Sequence, residues 1–255
     1  MYYDDITKLS AAAQKKTELL QNSKPKYLLA SALAGMYVGF GILLIFTIGG
    51  LLSPENPAIA RIIMGLSFGI ALSLVVTAGS ELLTGNNMIM TVGQLEGKVT
   101  VQDSLKIYLY SFTGNLLGAV ILAWLFVAAG LATGSTAAFI GKVSQTKMSL
   151  PWTELFARGI LCNTLVCLAL WCSFRLKDEA AKLIMIFWCL FAFITTGFEH
   201  SVANMTLLAV ALLAPGTAAV SLDGFIYNIV VVTLGNFIGG ALVVGGSYWY
   251  ISKKD

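Results

Sequence analysis

Long apolar runs separated by short polar segments divide the chain into six predicted membrane spans. They lie at about 27–52, 58–93, 105–131, 152–174, 183–214 and 225–250. A spanning helix needs about 20 apolar residues, and the first run, Tyr27–Leu52, exceeds this without one charge. The second run is too long for a single straight crossing and is interrupted at Gly79–Asn87 by GSELLTGNN. The fifth has two halves, Leu183–Phe198 and Met205–Ala214, each short for a crossing, with GFEHSVANM between them at Gly197–Met205. A polar, glycine-containing interruption inside an apolar span reads as a broken helix. Irregular backbone at that depth is tolerated only where it is buried in protein or lines a cavity. The connectors are predicted as a turn at Ser53–Pro57, loops at Gln94–Asp103, Ala132–Pro151 and Arg175–Lys182, and a turn at Pro215–Gly224. Ahead of the first span, Met1–Lys26 is predicted as a surface helix. Asp4 or Asp5 would cap it, Ile6, Leu9, Ala13 and Leu20 give it a weak apolar face, and its five lysines suit the neighbourhood of anionic lipid.

The pattern repeats. Glu81 in the first break, with Asn86, Asn87 and Met88 after it, matches Glu199 in the second, with Asn204 and Met205 after it. The third span carries GNLLGA from Gly114 and the sixth GNFIGG from Gly235. Each copy holds three spans, an odd number, so the second copy is inverted in the membrane. Paired broken helices in inverted repeats place a permeation site where the breaks meet. The expected fold is an all-α membrane domain covering residues 1–255. It comprises an N-terminal helix (1–26), repeat one (27–131) and repeat two (152–250).

Composition sharpens this picture. The chain is 57% hydrophobic and 11% charged, with mean hydropathy +0.82, against about 25% charged in soluble domains. A net charge of +3 implies no nucleic-acid surface. Cys162, Cys167, Cys172 and Cys189 all lie in apolar runs, with spacing that suits neither a metal site nor a redox pair. The polar N-terminus shows no signal peptide, so the first span is expected to serve as an uncleaved insertion signal. With both termini cytoplasmic, twelve lysines and arginines fall inside; the other four, Arg61, Lys142, Lys147 and Arg158, fall outside.

The candidate chemistry sits at the breaks. His200 is the only histidine. An ionisable residue inside a span is a functional-site hypothesis, and the readings are metal ligand, base for a nucleophile, proton donor or core residue. With no second histidine and no clustered cysteines, a metal site is disfavoured; no cofactor is expected. An intramembrane enzyme would need a nucleophile with a separate base, and none stands out. Glu81 and Glu199 read as catalysts, cation ligands or supports of the break, accepting from the free N–H groups of the following half-helix. The span glycines read as close-packing positions, and Asn115 and Asn236 as hydrogen-bonding residues between helices, away from the pore. No lysine or arginine is expected at the midplane.

Three segments carry a family resemblance. Gly79–Gly85 resembles the first signature of the formate/nitrite transporter family, with Leu83 where phenylalanine is common. Gly159–Ala169 resembles its second signature, and Gly197–Met205 its histidine motif. The segments 203–213 and 246–250 are more similar to the nitrite and hydrosulfide branch than to the formate branch. The resemblance implies an aquaporin-like protomer with its own pore, assembled as a homopentamer. It puts the central histidine on His200, the threonine of the first break on Thr84, and pore-side asparagines on Asn163 and Asn204. It puts two apolar constrictions on Phe68, Leu72, Leu82, Leu83, Val166 and Phe193, and the vestibule lysine on Lys147. The function so implied is a channel for small monovalent weak-acid anions (hydrosulfide, nitrite, formate) in the cell membrane; the alternative is a proton-coupled transporter of nitrite or formate.

Overall fold

The computed structural model describes residues 2–253. Lys254, one of the twelve cations assigned to the inner side, lies outside the described residues, as do Met1 and Asp255. The described chain forms ten helices. They are α1 (Tyr3–Asn22), α2 (Lys24–Leu52), α3 (Pro57–Gly79), α4 (Leu83–Leu95), α5 (Val101–Ala128), α6 (Gly134–Ser149), α7 (Trp152–Arg175), α8 (Glu179–Thr196), α9 (Ser201–Leu213) and α10 (Leu222–Ser252). Six of them, α2, α3, α5, α7, α8 and α10, are long and apolar enough to cross a membrane. The expected all-helical fold of six spans, with the second and fifth broken, is thus observed.

Polar residues set the helix starts. Ser23, Asn56, Asp178 and Ser221 each accept a backbone N–H from the first turn of α2, α3, α8 and α10. Thr100 and Asp103 close a reciprocal capping box on α5. The expected cap of α1 is different. Tyr2 holds the cap position without a side-chain bond, and Asp4 and Asp5 lie inside the first turn. There they suit the positive end of the helix.

The breaks are shorter than the polar stretches suggested. Helix resumes at Leu83 and at Ser201, so Thr84, Asn86, Asn87 and Asn204 are helical. Gly79 and Gly197 turn the chain at φ +79° and +84°, where a residue with Cβ is strained. The half-helices that follow form the protein's core: ten of thirteen residues of α4 and eleven of thirteen of α9 are buried. The full spans each leave a broad apolar face exposed, through side chains such as Leu109, Trp124 and Trp188.

Matching glycines bring the surrounding helices together. A Cβ at Gly118 would collide with the Ala32 carbonyl, and one at Gly239 with the Ile160 carbonyl. The helix pairs α2–α5 and α7–α10 therefore cross at backbone contact in both repeats.

One predicted loop is a helix. Ala132–Pro151 reads as a loop by its Gly, Ser and Thr content, but Gly134–Ser149 forms α6. Thr136, Ile140 and Ser144, four residues apart, make its buried face. Phe139 packs on Phe46, ring centroids 5.6 Å apart. Tertiary packing here overrides weak propensity.

Candidate functional site

Each break is tied down by an asparagine from the third span of its own repeat. Asn115 donates to the carbonyls of Ser31 (2.7 Å) and Glu81 (2.9 Å) and accepts from the Leu83 N–H (2.9 Å). Asn236 donates to the carbonyls of Gly159 (2.8 Å) and Glu199 (2.9 Å) and accepts from the Ser201 N–H (2.9 Å). The N–H of Glu81 also meets the Ala30 carbonyl, and that of Glu199 the Arg158 carbonyl, both at 3.2 Å. Interhelical bonding by these asparagines, expected from the sequence, gives the first free N–H of each half-helix its acceptor.

The glutamate carboxylates, expected to accept those N–H groups, turn elsewhere. Glu81 takes Lys16 Nζ on both oxygens at 2.8 Å, the Tyr27 hydroxyl at 2.9 Å and the Asn86 amide at 3.4 Å. Glu199 takes Lys147 Nζ at 2.6 Å and the Asn204 amide at 2.7 Å. The helix start is already occupied by asparagine, and a charged partner is the stronger bond. The glutamate of each break thus receives a lysine from a flanking helix, α1 or α6.

The bonds of His200 define its tautomer. Nδ1 accepts from the Ala203 N–H at 3.1 Å, which caps α9. A backbone amide can only donate, so Nδ1 carries no proton and the neutral ring carries it on Nε2. Nε2 lies 3.1 Å from Thr84 Oγ1, across the two repeats. One ring face stacks beside Phe193, centroids 6.1 Å apart. In the internal repeat His200 occupies the position of Leu82, one residue before the half-helix begins.

His200 lines a narrow cavity of about 10 Å³ with Val38, Phe68, Ala71, Leu72, Leu82, Val166, Leu190 and Phe193. That is close to the smallest space that holds one water. Phe68 and Phe193 meet edge to face across it at 5.4 Å. Five of the six residues expected at constrictions, Phe68, Leu72, Leu82, Val166 and Phe193, line this one cavity. Leu83 is buried but does not line it, because its amide is held by Asn115 one step into α4. Asn163 is buried away from it, donating to the carbonyls of Thr84 (3.1 Å) and Asn236 (2.6 Å). Val38, Ala71 and Leu190 were not singled out by sequence, since nothing distinguishes them from other apolar span residues.

On the α6 side the passage opens into a funnel. Two overlapping cavities, of about 690 and 450 Å³, share Ser53, Pro57, Phe139, Val143, Lys147 and Gly197. The inner one reaches His200 and Asn204. Arg61, Lys142, Lys147 and Arg158 all line the funnel, against one carboxylate, Glu199. These are the four cations that the charge count assigned to a single side. Only Lys147 was expected at the site; the other three could have been found by asking why that side kept any cation. Among the described residues, no three His, Cys, Asp or Glu side chains lie close enough to hold a metal ion.

A multi-pass membrane protein with a cationic funnel leading into a narrow, largely apolar, histidine-bearing passage has the build of an anion channel or transporter. Comparison with known proteins agrees. Residues 4–250 match the family model described as formate/nitrite transporter, and the chain belongs to that family. It is 42% identical over 255 residues to the nitrite transporter NirC of Escherichia coli (strain K12), covering all of this chain and 94% of that protein. Among solved structures, an FNT family ion channel superposes with TM-score 0.93 at 41% identity, covering 98% and 99% of the two chains. A pentameric formate channel with formate bound superposes with TM-score 0.77 at 27% identity, covering 90% and 97%.

Proposed function

We propose that this chain is a channel for small monovalent anions of weak acids, nitrite, hydrosulfide and formate among them, and that it works as a homopentamer of independently conducting protomers. The observation that carries the reading is His200 at the foot of a cationic funnel, with its Nε2–H on Thr84 Oγ1 and its ring lining a passage otherwise apolar. The whole chain acts as one transmembrane unit, with α1 and both termini on the cytoplasmic side and the funnel outside. Naming of the relatives as transporters and channels supports transport rather than catalysis, and the pentameric formate channel supports the assembly.

In this reading the funnel concentrates anions by its positive potential. An ion then sheds most of its water between Phe68 and Phe193. At that point the His200 Nε2–H, held on Thr84 Oγ1 at rest and fixed as the ring's one donor by the Ala203 N–H behind it, turns from Thr84 to the ion. Donation, rather than ionisation, is the role that the cap favours, because protonating Nδ1 would break the bond to Ala203. Thr84 supports the ring from the other repeat, while Asn163 and Asn204 hold the Thr84 carbonyl and the Glu199 carboxylate. Single-channel recording separates this channel from a proton-coupled carrier that would use the same residues. Resolved unitary currents are expected; strict proton stoichiometry without them would replace the channel by the carrier.

His200→Ala is expected to leave assembly intact and to lower nitrite flux into proteoliposomes by about tenfold to a hundredfold, the worth of one hydrogen bond to a charged group. Wild-type flux from an assembled variant would reduce His200 to a helix cap. Lys147→Gln is expected to lower flux several-fold at low ionic strength, with the deficit shrinking as salt screens the funnel over about 8–10 Å. A deficit that ignores salt would mean that Lys147 only supports Glu199.

A further inference from the structure

We propose that the funnel is also a binding site for an amphipathic carboxylate. The carboxylate sits on Arg61, the apolar tail lies along Pro57, Phe139 and Val143, and the bound molecule plugs the passage beneath it. The funnel's size and walls are what a small anion leaves unexplained. A cavity of about 450 Å³ opens onto a passage of about 10 Å³. The larger volume falls in the range of about 300–1,000 Å³ typical of sites for drug-sized organic molecules. Nitrite or formate has no apolar surface to bury, yet Ile45, Phe46, Met64 and the three tail residues make the wall hydrophobic.

Arg61 supplies the polar anchor. Lys147 is spent on Glu199, and Arg158 on Glu154 at 3.0 Å. Arg61 makes no ion pair and no side-chain hydrogen bond among the described residues, so all five of its donors are free. Its Nη2 lies 2.9 Å from where a Cβ on Gly197 would sit. The guanidinium is therefore held over the break itself, at the entrance to the passage. A planar fork of donors fits a carboxylate through two bonds, as a lysine cannot. The same four residues, Pro57, Arg61, Phe139 and Val143, line one cavity, so one molecule can touch all of them. Too large for the passage, it stays in the funnel and excludes the transported anion.

The probe is 3-phenylpropanoate, compared with propanoate, which has the head without the ring. Calorimetric titration into protein-loaded lipid nanodiscs, corrected with empty ones, is expected to show tighter binding of the phenyl compound by about tenfold or more, the worth of a partly buried ring. Arg61→Gln should weaken its binding by about tenfold, and so should Val143→Asn. Equal affinity for the two acids, or wild-type affinity in both variants, would overturn the site. In proteoliposomes with the probe on both faces, nitrite flux should fall along the binding curve; binding without inhibition would overturn the plug. The binding assay does not depend on the transport reading. Absence of nitrite flux in unblocked wild type would sink that reading and leave the titration to decide the site.

Discussion

Asn236→Leu should fail to yield a stable protein, and Asn115→Leu should fail in the same way. Each substitution keeps the branched shape and the number of side-chain heavy atoms and deletes three hydrogen bonds. For Asn236 it strands the Ser201 N–H and deprives the carbonyls of Gly159 and Glu199 of their donors. For Asn115 the stranded groups are the Leu83 N–H and the Glu81 carbonyl, and the Ser31 carbonyl inside α2 loses its second donor. Both asparagines are fully buried, so water cannot replace them. A buried polar group left unpaired costs about 1–3 kcal/mol, and two of them take a large share of the whole stability of a typical domain, about 5–15 kcal/mol. The cost falls on the backbone of the break, so the half-helix loses its fixed start and His200 or Leu82 its place. Thermal unfolding of the detergent-solubilised protein, followed with size-exclusion chromatography, is the measurement. A monodisperse Asn236→Leu protein with the wild-type melting temperature would show that the break holds without its asparagine.

These asparagines also mark how far the sequence could be read. Six spans, two breaks and a duplicated GN motif were legible because each leaves a pattern: apolar length, a polar interruption and a repeated string. Hydrogen bonding between helices followed for Asn115 and Asn236, since a buried amide in a span needs partners. Which groups they would satisfy did not follow. The N–H groups of the half-helices looked like targets for Glu81 and Glu199, the nearest acceptors in sequence. The chain fold brings Asn115 and Asn236 to them first and frees the glutamates for Lys16 and Lys147. Those pairings span 65 and 52 positions, beyond any local pattern.

The passage was legible in part for a related reason. Phe68, Leu72, Leu82, Val166 and Phe193 came from the family resemblance, and all five line the cavity. Hydrophobic periodicity could not have separated them from Leu83 or picked out Val38, Ala71 and Leu190. In a span that is apolar on every side, facing the passage, the lipid and the core look alike in sequence. Helix α6 was missed because Gly, Ser and Thr dominate it, although Thr136, Ile140 and Ser144 mark its buried face. The funnel was legible only in retrospect. Arg61, Lys142, Lys147 and Arg158 stand against the inside bias of the other cations, and they line the two overlapping cavities of the funnel.

Sulfate should not pass. In the proposed route every ion crosses the gap between Phe68 and Phe193 and the leucines beyond, where the cavity has room for about one water. The ion therefore travels with little of its hydration. The charging cost of that loss is several kcal/mol for a monovalent ion, and it grows with the square of the charge, so a divalent ion faces about four times as much. Lys147 and Arg61 lower the energy at the funnel but do not line the narrow cavity. The His200 Nε2–H returns one hydrogen bond, worth about 1.5–3 kcal/mol to a charged group. One bond narrows the gap for formate and falls far short for sulfate. Among monovalent anions of similar size, basicity should then set the order. A dry surrounding favours the neutral acid, so hydrosulfide and formate can shed charge by taking a proton from water in the funnel, where chloride cannot. The measurement is flux of hydrosulfide, nitrite, formate, chloride and sulfate into proteoliposomes at one pH and one ionic strength. Sulfate flux should equal that of protein-free vesicles, and chloride should lag hydrosulfide and formate. If sulfate keeps pace with formate, the passage is wet and the charging argument fails. If chloride matches hydrosulfide while sulfate stays out, the dry passage stands and ions cross it in charged form.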